Sequence, residues 1–188
     1  MSKKITIKKA TIQDFKKLSK LDYAYTYDKM FNVKYTAGKT SIHEVKLKKP
    51  IINKSTDYQE EILEFTERLK QKNSLALVAL YDSKPVGYIL SSIEKWPNGI
   101  VIEVSGILVA KDYRQCGVAV ALIKDIISRA KKIKNCRGVY VEMDTEKYAA
   151  DKLLLKMNFK FAGTKFYIYS NKDPHKYSKE ALYFYYKM

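Results

Sequence analysis

The chain has 188 residues, 46% hydrophobic and 13% aromatic, which suits one domain with a sizeable core. No apolar run reaches membrane-spanning length, and the start, MSKKITIKKATIQDF, is charged without the apolar segment of a secretory signal. The formal net charge of +16 favours anionic partners, but its carriers are lysines spread along the chain with only Arg68, Arg114, Arg129 and Arg137 beside them, which argues against a nucleic-acid reader.

Cys116 and Cys136 have no spacing that suggests a disulfide framework, and His43 and His175 are too isolated for a histidine metal site. The expectation is a cytoplasmic protein in a reducing environment, without metal or membrane partner.

In chain order, Ile5-Thr6-Ile7 predicts a short strand. Thr11 and Asp14 are spaced as a capping pair for a helix with Phe15, Leu18 and Leu21 inward. Residues 22–56 are the least legible. Tyr23, Tyr25, Tyr27, Phe31 and Tyr35 crowd together with Asp22 and Asp28 in either a strand or a loop that closes over a site. Gly38 marks a turn, and Ser41 to Lys48 alternates imperfectly, like an extra strand. Ser55, Thr56 and Asp57 offer N-caps for a helix from Tyr58 to Lys72, with Ile62, Phe65 and Leu69 apolar and Glu60, Glu61, Glu64 and Glu67 on a solvated face.

Leu75 to Tyr81 and Val86 to Ile93 predict an antiparallel hairpin whose connection, Asp82-Ser83-Lys84-Pro85, is longer than minimal. Trp96 to Gly99 turns the chain into a third strand, Ile100 to Val109, interrupted by Glu103 and Ser105. From Gly117 onward, Ala119, Leu122, Ile123, Ile126, Ala130 and Ile133 recur at helical spacing. Further strands follow at Gly138 to Met143, Phe161 to Ser170 and Ala181 to Met188. Between the first two of these, Tyr148 to Met157 predicts a helix ended by a left-handed Asn158.

The turn at residues 114–119, Arg-Gln-Cys-Gly-Val-Ala, fits the pattern R/Q-x-x-G-x-G/A. A glycine there permits a tight turn, and the unpaired N–H groups of the following helix then favour an anion such as a pyrophosphate. Here the chain resembles the GCN5-related N-acetyltransferases. Its size and the tail KEALYFYYKM resemble the streptothricin acetyltransferase-like branch.

The resemblance implies an α/β (α+β) GNAT fold: a mixed, mostly antiparallel sheet of about seven strands flanked by about four helices. It implies one domain over 1–188, with an acceptor region in 1–74 and an acetyl-CoA-binding core in 75–188. The Ile107 N–H would meet the thioester carbonyl, with Leu108 and Val109 along the pantetheine arm. Backbone amides of Gln115, Cys116, Gly117, Val118 and Ala119 would hold the pyrophosphate, with a charge-assisted contact from Arg114. Glu103, four residues before Ile107, is the candidate general base. Tyr148 is a candidate proton donor to the leaving thiolate, as are Tyr167 and Tyr169. Tyr23, Tyr25, Tyr27, Asp28 and Phe31 are candidate acceptor contacts, since rings beside carboxylates suit a cationic amine.

The sequence also departs from the resembled pattern. Ser105-Gly106 stands where the branch has a Glu-Asp pair, and Leu154 where many members have a tyrosine. Glu146 or Lys147 replaces a cofactor-contacting asparagine. The expected activity is acetyl transfer from acetyl-CoA to the primary amine of a small molecule, an antibiotic, polyamine or amino acid, by a monomer or homodimer. The alternative is a catalytically degenerate acyl-CoA-binding sensor or partner-binding module.

Overall fold

The structure is a computed structural model that describes residues 4–54, 58, 62, 65–165 and 180–188. The chain folds into two compact units: residues 1–25, 53–139 and 188 in the first, and residues 26–52 and 140–187 in the second.

The first unit is built on four strands, β1 (Ile5–Lys9), β4 (Ser74–Tyr81), β5 (Lys84–Trp96) and β6 (Gly99–Val109), hydrogen-bonded in the order β1-β4-β5-β6. Each neighbouring pair is antiparallel. The β4–β5 connection is shorter than expected. Tyr81 pairs with Lys84, so only Asp82 and Ser83 turn the chain. Their φ values of +48° and +70° are those of a primed two-residue turn, which Asp tolerates well, so the apparent loop residues Lys84 and Pro85 are strand instead.

Helix α1 (Ile12–Leu18) starts at the expected capping box: Thr11 Oγ1 accepts the Asp14 N–H, while Asp14 Oδ2 accepts the Thr11 N–H. Burial pushes the Asp14 carboxyl up, but bonds from Lys8 and Thr11 outweigh it and hold the group below its ordinary value. Phe15 and Leu18 enter a core with Ile62, Phe65, Val78, Tyr88 and Leu90. The expected helix caps at residues 55–57 and the acids Glu60, Glu61 and Glu64 lie outside the described residues, whereas Tyr58, Ile62 and 65–68 are helical. Helix α2 (Val118–Ala130) buries Leu122, Ile123, Ile126 and Ile127, each worth roughly 1.5–3 kcal/mol when fully covered.

The second unit holds all but the end residues Tyr25 and Asn53 of a two-stranded sheet, β2 (Tyr25–Thr36) and β3 (Lys39–Asn53), reversed at Ala37 and Gly38, both of positive φ. The illegible stretch is thus a long hairpin. β7 (Cys136–Asp144) begins in the first unit and ends in the second, where it neighbours β9 (Ala181–Lys187), which pairs antiparallel with β8 (Lys160–Lys165). Helix α3 (Tyr148–Lys156) precedes β8, and Asn158 adopts the expected left-handed φ of +66°. Tyr167 and Tyr169 lie outside the described residues.

Strand number, the antiparallel registers and the flanking helices match the implied α/β fold. No described helix is long and apolar enough to cross a membrane.

Candidate active-site elements

The turn after β6 begins with a 3-10 segment, Lys111–Tyr113, and ends at Gly117, the left-handed N-cap of α2 with φ +84°. Gln115 is also left-handed at φ +60°, while Cys116 between them is not. Left-handed residues on both sides of Cys116, leading straight into a helix start, can turn neighbouring N–H groups toward one side, a concavity that suits an anion. No side chain caps α2, so its first-turn N–H groups add to that concavity. Gln115, Cys116 and Gly117 are exposed. These residues fit a pyrophosphate, and they do so through backbone atoms.

Arg114 makes contacts that its sequence reading does not describe. Its Nε donates to Val109 O at 3.1 Å, Nη1 to Ala24 O at 2.9 Å and Nη2 to Tyr23 O at 2.7 Å. The guanidinium also lies 5.8 Å from the Tyr25 ring centroid. Burial lowers its pKa, and neighbouring tyrosines and Asp22 oppose that, so the group remains a cation.

β6 carries an extra residue. Ser91 pairs with Val104 and Leu90 with Gly106, leaving Ser105 as the bulge. Bulges bend a strand and break its regular ladder, and this one lies two residues before Ile107. Glu103 is half-buried and accepts the Trp96 indole N–H at 3.0 Å.

The candidate acceptor residues divide. Tyr23 is a correction: it is 0% exposed and its hydroxyl donates to Leu18 O, so it belongs to the core of the first unit, where burial holds its hydroxyl protonated. Tyr27 and Phe31 are buried, and the Phe31 ring centroid lies 5.3 Å from that of Tyr148. Tyr25 is half-buried, with its hydroxyl accepting from Asn53 Nδ2, and Asp28 is exposed.

In the second unit the Tyr148 hydroxyl donates to Glu44 Oε2. Lys29 Nζ is 2.7 Å from Glu44 Oε1, and Lys152 Nζ is 3.9 Å from Oε2. Both ammonium groups lie within 6 Å of the Tyr148 ring centroid, at 5.8 and 5.9 Å. The bond to Glu44 raises the Tyr148 pKa and keeps the phenol a proton donor. The Lys29 hydrogen bond, then the Tyr148 bond, lowers that of Glu44.

A model of the acetyltransferase (GNAT) family matches residues 40–159. The chain belongs to that family. Among related sequences, an N-alpha-acetyltransferase of Saccharolobus solfataricus is 31% identical over 107 residues, covering 51% of this chain and 62% of the relative. One from Sulfurisphaera tokodaii is 30% identical over 108 residues, with the same coverage. The chain thus spans less than two thirds of the length of these relatives. Among solved structures, a Bacillus anthracis protein described as a streptothricin acetyltransferase, in complex with acetyl coenzyme A, aligns with TM-score 0.77 and 19% identity over 98% of both chains. A nourseothricin acetyltransferase aligns with TM-score 0.76 and 21% identity over 97% of this chain and 98% of that one.

The departures of this GNAT chain have physical counterparts. A Cβ on Gly106 would meet Phe65 at 3.5 Å and Tyr88 at 3.7 Å. Those rings pack at 5.4 Å, so a carboxylate at 106 would be desolvated against aromatic carbon. Leu154, at the position of the family tyrosine, is buried.

Sequence reading missed two residues. Asp151 is 0% exposed, with neither carboxylate oxygen hydrogen-bonded among the described residues. Burial pushes it up to about 9, with Asp144 adding and Lys147 opposing. Its spacing of three from Leu154 puts it on the inward face, a signal the sequence offered. Glu44 is the lone acid among four lysines and one histidine from Lys39 to Lys49. That isolation was its only mark.

Proposed function

We propose that this chain is an acetyl-CoA-dependent N-acetyltransferase acting on the primary amine of a small molecule. The observation that carries the reading is the Gln115–Gly117 concavity at the uncapped N-terminus of α2. Uncapped backbone N–H groups at a helix start suit the pyrophosphate without requiring any particular side chain in the loop. When bound, acetyl-CoA supplies the activated acetyl group.

The remaining work belongs to the chain's own residues. The Ile107 N–H, just past the Ser105 bulge, is the candidate donor to the carbonyl oxygen on which charge develops. Glu103 is the candidate proton acceptor from the amine, held in place by Trp96. Tyr148 retains its proton beside Glu44 and is the candidate donor to the departing sulfur. Orientation of amine against thioester contributes much of such a rate even where side-chain catalysts are few.

Alignment over nearly the whole chain with a nourseothricin acetyltransferase, and with a protein described as a streptothricin acetyltransferase, supports a small-molecule acceptor such as a streptothricin-like antibiotic. A second reading, acetylation of a peptide α-amine, is favoured by the N-alpha-acetyltransferase relatives. Location in the cytoplasm and a monomeric or dimeric state complete the proposal.

The test is CoA release measured over a panel of antibiotics, polyamines, amino acids and N-terminal peptides. The small-molecule reading predicts turnover with an amine of the first three classes. Turnover with peptides alone replaces it by the second reading. Acetyl-CoA binding without turnover on any amine favours a non-catalytic acyl-CoA-binding module. Glu103→Gln should lower turnover at least tenfold; unchanged turnover removes Glu103 as the base.

A further inference from the structure

We propose that Arg114 is a positioning residue that transmits acetyl-CoA occupancy of the loop to the segment 22–25, which carries the half-buried candidate acceptor residue Tyr25. This rests on the acetyl-CoA reading above and deepens it, because it assigns a side chain that the pyrophosphate grip itself does not need.

The two segments are sewn together inside the first unit. Arg114 Nη1 and Nη2 donate to the carbonyls of Ala24 and Tyr23, and the Lys111 N–H donates to Asp22 O at 2.8 Å. Lys111 Nζ reaches Asp22 Oδ2 at 3.7 Å, and Asp22 Oδ1 in turn accepts the Ala24 N–H at 2.8 Å. The third arm of the guanidinium, Nε, is anchored on Val109 O at the end of β6. A planar fork fixed at three carbonyls has one orientation, and lysine cannot reproduce it.

Arg114 directly precedes left-handed Gln115, whose conformation L-residues visit rarely. An anion bound on the following N–H groups holds that conformation and, through the backbone, the root of the Arg114 side chain. The carbonyls of residues 23 and 24 then follow. Tyr23 is locked into the core by its ring and hydroxyl, so displacement is passed forward to Ala24 and Tyr25 rather than backward. Binding of cofactor and order of the segment are thereby linked, and the linkage acts in both directions.

The test uses the full chain and acetyl-CoA alone, with calorimetry for binding and amide hydrogen exchange for the segment. Addition of saturating acetyl-CoA is expected to slow exchange of amides 22–26 at least fivefold in the wild type. Arg114→Gln and Arg114→Lys are expected to bind acetyl-CoA within about fivefold of wild type, but without that protection. A purely structural role would change exchange equally with and without ligand, and so would leave the ligand-dependent difference intact. Wild-type binding without protection overturns the inference alone, and so does protection retained in both variants. A hundredfold loss of affinity in Arg114→Gln that Arg114→Lys restores assigns the charge to phosphate contact and also overturns it. Absence of wild-type binding overturns the acetyl-CoA reading and this inference together.

Discussion

The loop at residues 114–119 and the cluster around Tyr148 are built from different materials. In the first, the proposed anion grip would use N–H groups beside two left-handed residues, and the Arg114 side chain is directed to carbonyls instead. In the second, the hairpin and α3 meet through a phenol, a carboxylate and two ammonium groups, all at the surface. Backbone geometry tolerates side-chain change but not a change of φ. A side-chain network behaves in the opposite way, so substitutions should separate the two regions.

The largest effect is expected at Gly117. A Cβ there has room, with its nearest neighbour Ile5 Cδ1 at 3.9 Å, so only the φ of +84° opposes a side chain. Gly117→Asp places a strained residue and a negative charge beside the concavity, and acetyl-CoA affinity should fall at least a hundredfold by calorimetry. Next comes Tyr148→Phe. If the cluster donates the proton, kcat should fall roughly tenfold to a hundredfold, while thermal stability changes by less than about 1 kcal/mol because the network is exposed. Unchanged kcat would make the cluster a tie between hairpin and helix.

Asp151→Asn tests the buried counterpart of that surface network. The folded-state pKa of Asp151 is raised to about 9 from an ordinary 3.8. The folded chain therefore holds a proton that the unfolded chain releases, and the associated stability is fully present below pH 3.8 and is lost as pH rises toward 9. Asn removes that dependence. The variant should gain roughly 10 °C in Tm over wild type at pH 8 relative to the difference at pH 5, equivalent to ~4 kcal/mol over three pH units. A pH-independent difference would contradict the buried-proton account.

The smallest effect belongs to Cys116→Ser. Cys116 is a free, exposed thiol in the loop, and the proposed grip uses its backbone N–H rather than its sulfur. Acetyl-CoA affinity should stay within about twofold.

The same contrast explains what the sequence revealed. The loop was legible because a glycine between a β-branched strand and a helical apolar stripe is a local signal, as were the Thr11–Asp14 cap and the left-handed Asn158. The Ser105 bulge was not legible, since register depends on the partner strand β5. Tyr23, Tyr27 and Phe31 read as a recognition patch because crowding of aromatics says nothing about which face is covered. Tertiary packing buries all three, with Tyr23 in the core of the first unit. The fifteen-residue β3 was obscured by its lysines, which suit an exposed ribbon edge and weaken the alternation. Glu44 and Tyr148 lie 104 residues apart, beyond any local pattern. Arg114 was assigned to phosphate by its position, whereas its fork is directed to carbonyls some 90 residues earlier.

The claim on which the rest depends is that the backbone concavity after β6 holds acetyl-CoA. Isothermal titration of the full chain with acetyl-CoA, repeated with Gly117→Asp, tests it most directly. The account predicts one saturable site with a dissociation constant in the micromolar range, abolished by the substitution. No heat of binding at millimolar acetyl-CoA, or undiminished affinity in Gly117→Asp, would contradict it.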